Sequence, residues 1–146
     1  MLHTFNYRKG IAISSLLVSN LIFVSQSIAE ISVIVHPDNN STFDKTIIKK
    51  MFLGKSKSFD NGKVVILLSP KTGTSASDEF NKNVLRKTAP QINAYWSKMI
   101  FTGKGTPPQE MESADDIISA IAGNKDAISF VDTSSVTDAV KVVATF

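Results

Sequence analysis

The chain has 146 residues, 42% of them hydrophobic and 20% charged, with 7 Gly, 5 Pro and no Cys. That composition describes one globular domain and excludes disordered, collagenous and multi-domain chains. The absence of cysteine excludes a disulfide framework, a thiolate metal site and a cysteine nucleophile. The formal charge of +3 needs its distribution before it says anything about partners.

Arg8 and Lys9 precede an uncharged stretch over residues 11–24, and Ser27-Ile28-Ala29 sets small residues three and one positions ahead of a cut before Glu30. Together these are the parts of a secretory signal peptide. The apolar run is shorter than the roughly 20 residues a membrane span requires, and no cysteine is present to carry a lipid anchor. The expected organisation is a signal peptide over 1–29, cleaved after Ala29, and a single domain over 30–146 with no membrane anchor. Loss of Arg8 and Lys9 lowers the net charge from +3 to +1. No block of like charge remains to follow a phosphate backbone, so no nucleic-acid binding is expected. An exported, cysteine-free domain fits a bacterial periplasm.

Residues 31–35 (Ile-Ser-Val-Ile-Val) read as a strand closed by the turn formers His36-Pro37-Asp38. Phe43, Ile47, Ile48, Met51 and Phe52 then fall on one face of a helix that Gly54 stops. Residues 54–62 are polar, with a tight turn at Asn61-Gly62. The unbroken apolar run Val64-Val65-Ile66-Leu67-Leu68 predicts a strand covered on both faces. After the loop 69–74, one helix turns Ala76, Phe80, Val84 and Leu85 inward. Ser75 and Asp78 have the spacing of a capping-box-like start. A second helix carries Ile92, Tyr95, Trp96, Met99 and Ile100, with Pro90 in its first turn. The Gly- and Pro-rich stretch 103–108 reads as irregular. A third helix runs from Ser113 and Asp116 to Gly123. Residues 127–131 and 140–144 read as strands. Strands alternating with helices predict an α/β fold, a mainly parallel sheet of about four to five strands with helices on both faces.

No set of residues with enzymatic spacing appears. His36 is the sole histidine after residue 29 and reads as part of a strand-end turn, which leaves no paired-His metal site and no Ser-His-Asp set with a spare histidine. Gly54-Lys55-Ser56 lacks the glycine a phosphate loop needs five positions earlier, where Lys49 stands. Glu110, Glu112, Asp115 and Asp116 read as charges at a helix start, favourable at the positive end of its dipole. A non-enzyme without cofactors is expected.

The candidate site is Lys71-Thr72-Gly73-Thr74-Ser75, between the apolar strand and the helix after it. Hydroxyls of Thr72, Thr74 and Ser75 converge there with free first-turn amides and the Lys71 ammonium. Such amides attract oxyanions, and Gly73 permits close approach of the backbone. In an open α/β sheet the loop lies at the carboxyl end of its strand, where ligands bind. Plain N-capping by Thr74 or Ser75 explains the same residues.

Several segments together resemble the phosphate-binding subunit of phosphate ABC transporters, in the periplasmic binding protein superfamily of type II fold. Residues 47–55 are similar to that family's "eIFxGk" helix end, 73–80 to its "GSGTxxxF", and 127–132 to its "GaIGYve" strand. The resemblance spans residues 31 to about 143. It implies phosphate or a related oxyanion as ligand, with Thr74 in the place of the family's serine. Ser75 and Ala76 stand where the family has glycine and threonine, and Pro70 where it has an arginine, with Lys71 one position late. A lysine lacks the bidentate guanidinium fork for a tetrahedral oxyanion. The resemblance also implies two lobes closing on the ligand, whereas 117 residues suffice for one. The second wall would come from a homodimer or another envelope protein. Alternatively the lobe is an interaction module without a small ligand, with Phe59, Tyr95 and Trp96 as contact candidates.

Overall fold

A computed structural model describes residues 29–146; apart from Ala29, the expected signal peptide lies outside the described residues. Five strands, β1 (Ile31–Val35), β2 (Ile66–Pro70), β3 (Gln109–Met111), β4 (Ala127–Asp132) and β5 (Lys141–Thr145), form one sheet in the order β3-β2-β4-β1-β5. β2 pairs parallel with β3 and β4, while β1 pairs antiparallel with β4 and β5. Four strands thus share one direction and β1 opposes them. The mainly parallel α/β sheet read from the sequence is the one observed.

The helices are α1 (Lys45–Phe52), α2 (Ser75–Phe80), α3 (Ala89–Phe101) and α4 (Ala114–Gly123). Alternation along the strands sends Ile31, Val33 and Val35 of β1, with Ile128 and Phe130 of β4, to a core shared with α1, α2 and the flank of α3. Ile34, Leu68, Ala127 and Val131 face Ile117, Ile118 and Ile121 of α4 on the other side. Helices therefore cover both faces, as a sheet with parallel crossovers requires. Phe80 and Phe130 stack with ring centroids 3.8 Å apart, and Phe52 packs edge-on to both. No helix among the described residues is long and apolar enough to cross a membrane.

Caps delimit the helices. Asp44 accepts the Ile47 amide at α1, Thr88 and Gln91 form a capping box at α3, and Ser113 accepts the Asp116 amide at α4. Gly54 ends the α1 segment at φ +66°, with Trp96 against its Cα hydrogen side.

Three sequence readings change. The strand expected at 64–68 begins at Ile66 instead, because Val64 bridges to Ser58 and Val65 donates to the Lys57 carbonyl within the preceding loop. Val64 is 70% exposed, so the first part of the run is not covered on both faces. Residues 109–111, for which the sequence suggests no element, form the edge strand β3. Phe59, offered as a surface contact, is 4% exposed and packs edge-on to Phe43. Trp96 is also core, and the Tyr95 hydroxyl donates to the Leu53 carbonyl at 2.6 Å.

Candidate functional site

β2 ends at Pro70, whose missing N–H suits the last position of a strand. The chain turns at once. The Thr74 amide donates to the Lys71 carbonyl at 3.2 Å, and Gly73 takes φ +86°, a value that excludes strain-free side chains. Thr74 is the N-cap of α2: its hydroxyl donates to the Lys71 carbonyl at 2.9 Å and accepts the Ser77 amide at 3.3 Å. Ser75 is exposed as the first helical residue, so the Ser75–Asp78 capping box does not form. The cap lies one residue earlier because Thr74 keeps extended backbone while Ser75 is already helical.

The donors of this turn are engaged by the neighbouring strand. The parallel register sets Ser69 opposite Glu110 and Pro70 opposite Met111. Glu110 Oε1 accepts the Thr72 amide at 3.0 Å and also the Thr72 hydroxyl. Two residues on, Glu112 takes Lys71 Nζ at 2.7 and 3.0 Å. Hydrogen bonding and charge from Glu112, with Glu110 behind it, hold the Lys71 ammonium above its ordinary proton affinity. Neither carboxylate is a helix-start charge. Asp115 and Asp116 fill that role in α4, and the tertiary pairing of β3 with β2 gives Glu110 and Glu112 their partners. Of the five expected site residues, Lys71 faces Glu112, Thr72 holds Glu110, Gly73 shapes the turn, Thr74 caps α2 and Ser75 faces solvent. Among the described residues, no partner takes the amides of Gly73, Ser75 or Ala76.

Beside Thr72 opens a cavity of about 330 Å³, between the carboxyl end of β2, the segment that leads into β3, α2 and α3. The β2–β4 ladder stops at Leu67–Ile128, and beyond it the Ser129 hydroxyl takes the Leu68 carbonyl at 2.8 Å. This is where the connections leave β2 and β4 for opposite sides, the place at which open α/β sheets bind ligands. Phe52, Phe80, Phe130 and Trp96 line its apolar part; Thr72, Ser77, Asn81 and Glu110 line the polar part. Ser77 and Asn81 went unnoticed in the sequence. Their signal was a polar residue pair, four apart, on the stripe otherwise made of Ala76, Phe80, Val84 and Leu85. After α2 a π-helical turn, Asn81–Leu85, continues the helix, an irregularity often found beside functional sites.

Solved structures share this fold. An ABC-type phosphate transport receptor from Vibrio cholerae matches with TM-score 0.55 and 11% identity over 80% of this chain and 46% of its own. A Clostridium perfringens protein with bound phosphate, assigned to the substrate-binding proteins of phosphate ABC transporters, matches with TM-score 0.61 and 22% identity over 80% and 45%. PstS from Borrelia burgdorferi matches with TM-score 0.58 and 9% identity over 80% and 47%. The fold is that of one lobe of a periplasmic binding protein. The chain spans less than half the length of the structures it matches. No protein-family model matches its sequence, and no curated protein matches it.

Proposed function

We propose that this lobe is a non-enzymatic, exported solute-binding protein that receives phosphate or a related oxyanion at residues 71–75. One observation carries the reading: the Thr72 amide and hydroxyl already grip an oxyanion, the chain's own Glu110 carboxylate. A free oxyanion would take that place by displacing Glu110, and would add the unpartnered amides of Ser75 and Ala76. Lys71, on release from Glu112, would supply the nearby positive charge. The solved structures with the same lobe fold include one with bound phosphate, which supports the choice of ligand. Export to the periplasm, cleavage after Ala29 and a second wall supplied by a homodimer or an envelope protein belong to the same proposal.

Calorimetric titration of residues 30–146 with phosphate and with sulfate tests it. Saturable heat with either anion, weakened in Thr72→Val, supports the reading; silence up to about 10 mM, where even an affinity near −4 kcal/mol would register, discards it.

A second reading, an interaction module, is favoured by Phe101, 93% exposed, beside Ile100, 55% exposed, at the end of α3. It moves the contact surface away from Phe59, Tyr95 and Trp96. A pull-down from envelope extract that returns no partner, beside positive anion binding, removes it.

A further inference from the structure

We propose that the 330 Å³ cavity is a second binding site, adjoining the oxyanion turn and sharing Thr72 and Glu110 with it, for a small organic molecule with a flat apolar body and an uncharged or cationic hydrogen-bonding end. Its volume falls within the range of small-molecule pockets, about 300–1,000 Å³.

The side chains of Ser77 and Asn81, each only 7% exposed, line this cavity. Neither side chain makes a hydrogen bond to another described residue, and neither is among the fully buried polar atoms left without a partner, so both polar ends open to the cavity. Polar ends open to a cavity hold water that a ligand can displace only by reproducing its hydrogen bonds, and successive turns of one helix direct both to the same space. They ask for a ligand that both donates and accepts. The apolar part of the lining is aromatic, built from the stacked Phe80 and Phe130, Phe52 and Trp96, and stacked or edge-on contact favours a flat apolar body.

Charge decides the polar end. Glu110 is the sole ionisable side chain in the lining, and no Lys, Arg or His reaches the cavity. Glu110 Oε1 is held by Thr72, which keeps the carboxylate at the rim. An anionic ligand would meet a like charge, the Lys71 ammonium being held by Glu112 outside the lining, whereas an amine or hydroxyl would find an acceptor. The cavity thus selects against the class of ligand that the neighbouring turn selects for.

Benzylamine, benzyl alcohol and benzoate test this, since they share a ring and differ in charge. Each is titrated into the full chain, with chemical shifts of the Asn81 side-chain amide and fluorescence of Trp96, the chain's one tryptophan, as readouts. Fragments of this size bind at about 1–20 mM. Saturable shifts are expected for benzylamine and benzyl alcohol, with benzoate about tenfold weaker. Glu110→Gln should relieve the benzoate penalty, and Asn81→Leu should weaken benzyl alcohol about tenfold while the circular dichroism spectrum stays unchanged. Should Asn81→Leu fail to fold, Ser77→Ala takes its place, with a smaller loss. No saturable shift for any of the three, benzoate binding as tightly as benzylamine, or binding indifferent to both Asn81→Leu and Ser77→Ala would overturn the proposal.

Discussion

Replacing Glu110 by alanine isolates the competition between the chain's own carboxylate and a free anion. Glu110 now accepts two hydrogen bonds from Thr72, one from the amide at 3.0 Å and one from the hydroxyl. An incoming phosphate must break both and approach a like charge. An exposed hydrogen bond contributes about 0.5–1.5 kcal/mol net. Repulsion between unit charges about 4 Å apart in water adds about 1 kcal/mol, less with salt. Removing the side chain should therefore tighten phosphate by about 2–4 kcal/mol, or roughly thirty- to several-hundredfold. Isothermal calorimetry at low ionic strength measures it directly, and the gain should shrink as salt is added. Glu112→Ala is the companion variant. It frees the Lys71 ammonium without opening the Thr72 donors, so its gain should be smaller and still more sensitive to salt. If Glu110→Ala binds phosphate no more tightly than the parent while its urea midpoint is preserved, the turn is not an oxyanion site and Glu110 is merely its surface partner.

Other expectations follow from the same contacts. Thr74→Ala removes the cap of α2 and should cost about 1 kcal/mol in urea unfolding, a lesion of stability more than of binding. Gly73→Ala places a Cβ in open space at φ +86°, so its cost should be the backbone strain alone, about 1–2 kcal/mol; Gly54→Ala, where the new carbon would lie 3.1 Å from the Trp96 ring, should cost more. Equal urea midpoints for the two variants would contradict that contact. Phe130→Ala empties the centre of the aromatic stack and should cost about 3–5 kcal/mol by the same measurement. Asp60 accepts the Thr42 amide at 2.9 Å, and this hydrogen bond holds its carboxyl below the ordinary 3.8. Its contribution is complete above the unfolded value and is lost as pH falls through the lower folded value. Asp60→Asn should therefore lower stability at neutral pH and flatten the decline below about pH 4 in a series of urea melts.

Much of the architecture was legible because short-range patterns coincide with long-range burial. The apolar spacing of Ile48, Met51 and Phe52, or of Ile117, Ile118 and Ile121, is the pattern a helix needs to cover a sheet, and those residues are buried. Ser113 and Thr88 cap their helices through neighbours three residues on, a purely local event. Gly73 and Gly62 occupy positive-φ turns that their flanking residues announce. The run from Val64 misled, since five apolar residues carry no mark of which of them a neighbouring loop will draw away from the sheet. β3 was missed for a related reason. Gln109-Glu110-Met111 has no strand pattern of its own and is extended because β2 offers it an edge.

The chain's local chemistry alone determined the helices and their caps, most strands, the two-faced core and the location of a polar, glycine-hinged turn after the second strand. Only the tertiary structure decided what that turn touches. Lys71 and Glu112 are 41 residues apart and Thr72 and Glu110 are 38 apart, and they meet because β3 pairs in parallel with β2. The reversed direction of β1 and the cavity beneath Thr72 were likewise settled by packing. Capping and periodicity act within a turn or two of helix, whereas a site built across strands depends on register, and register is set by which faces are buried together.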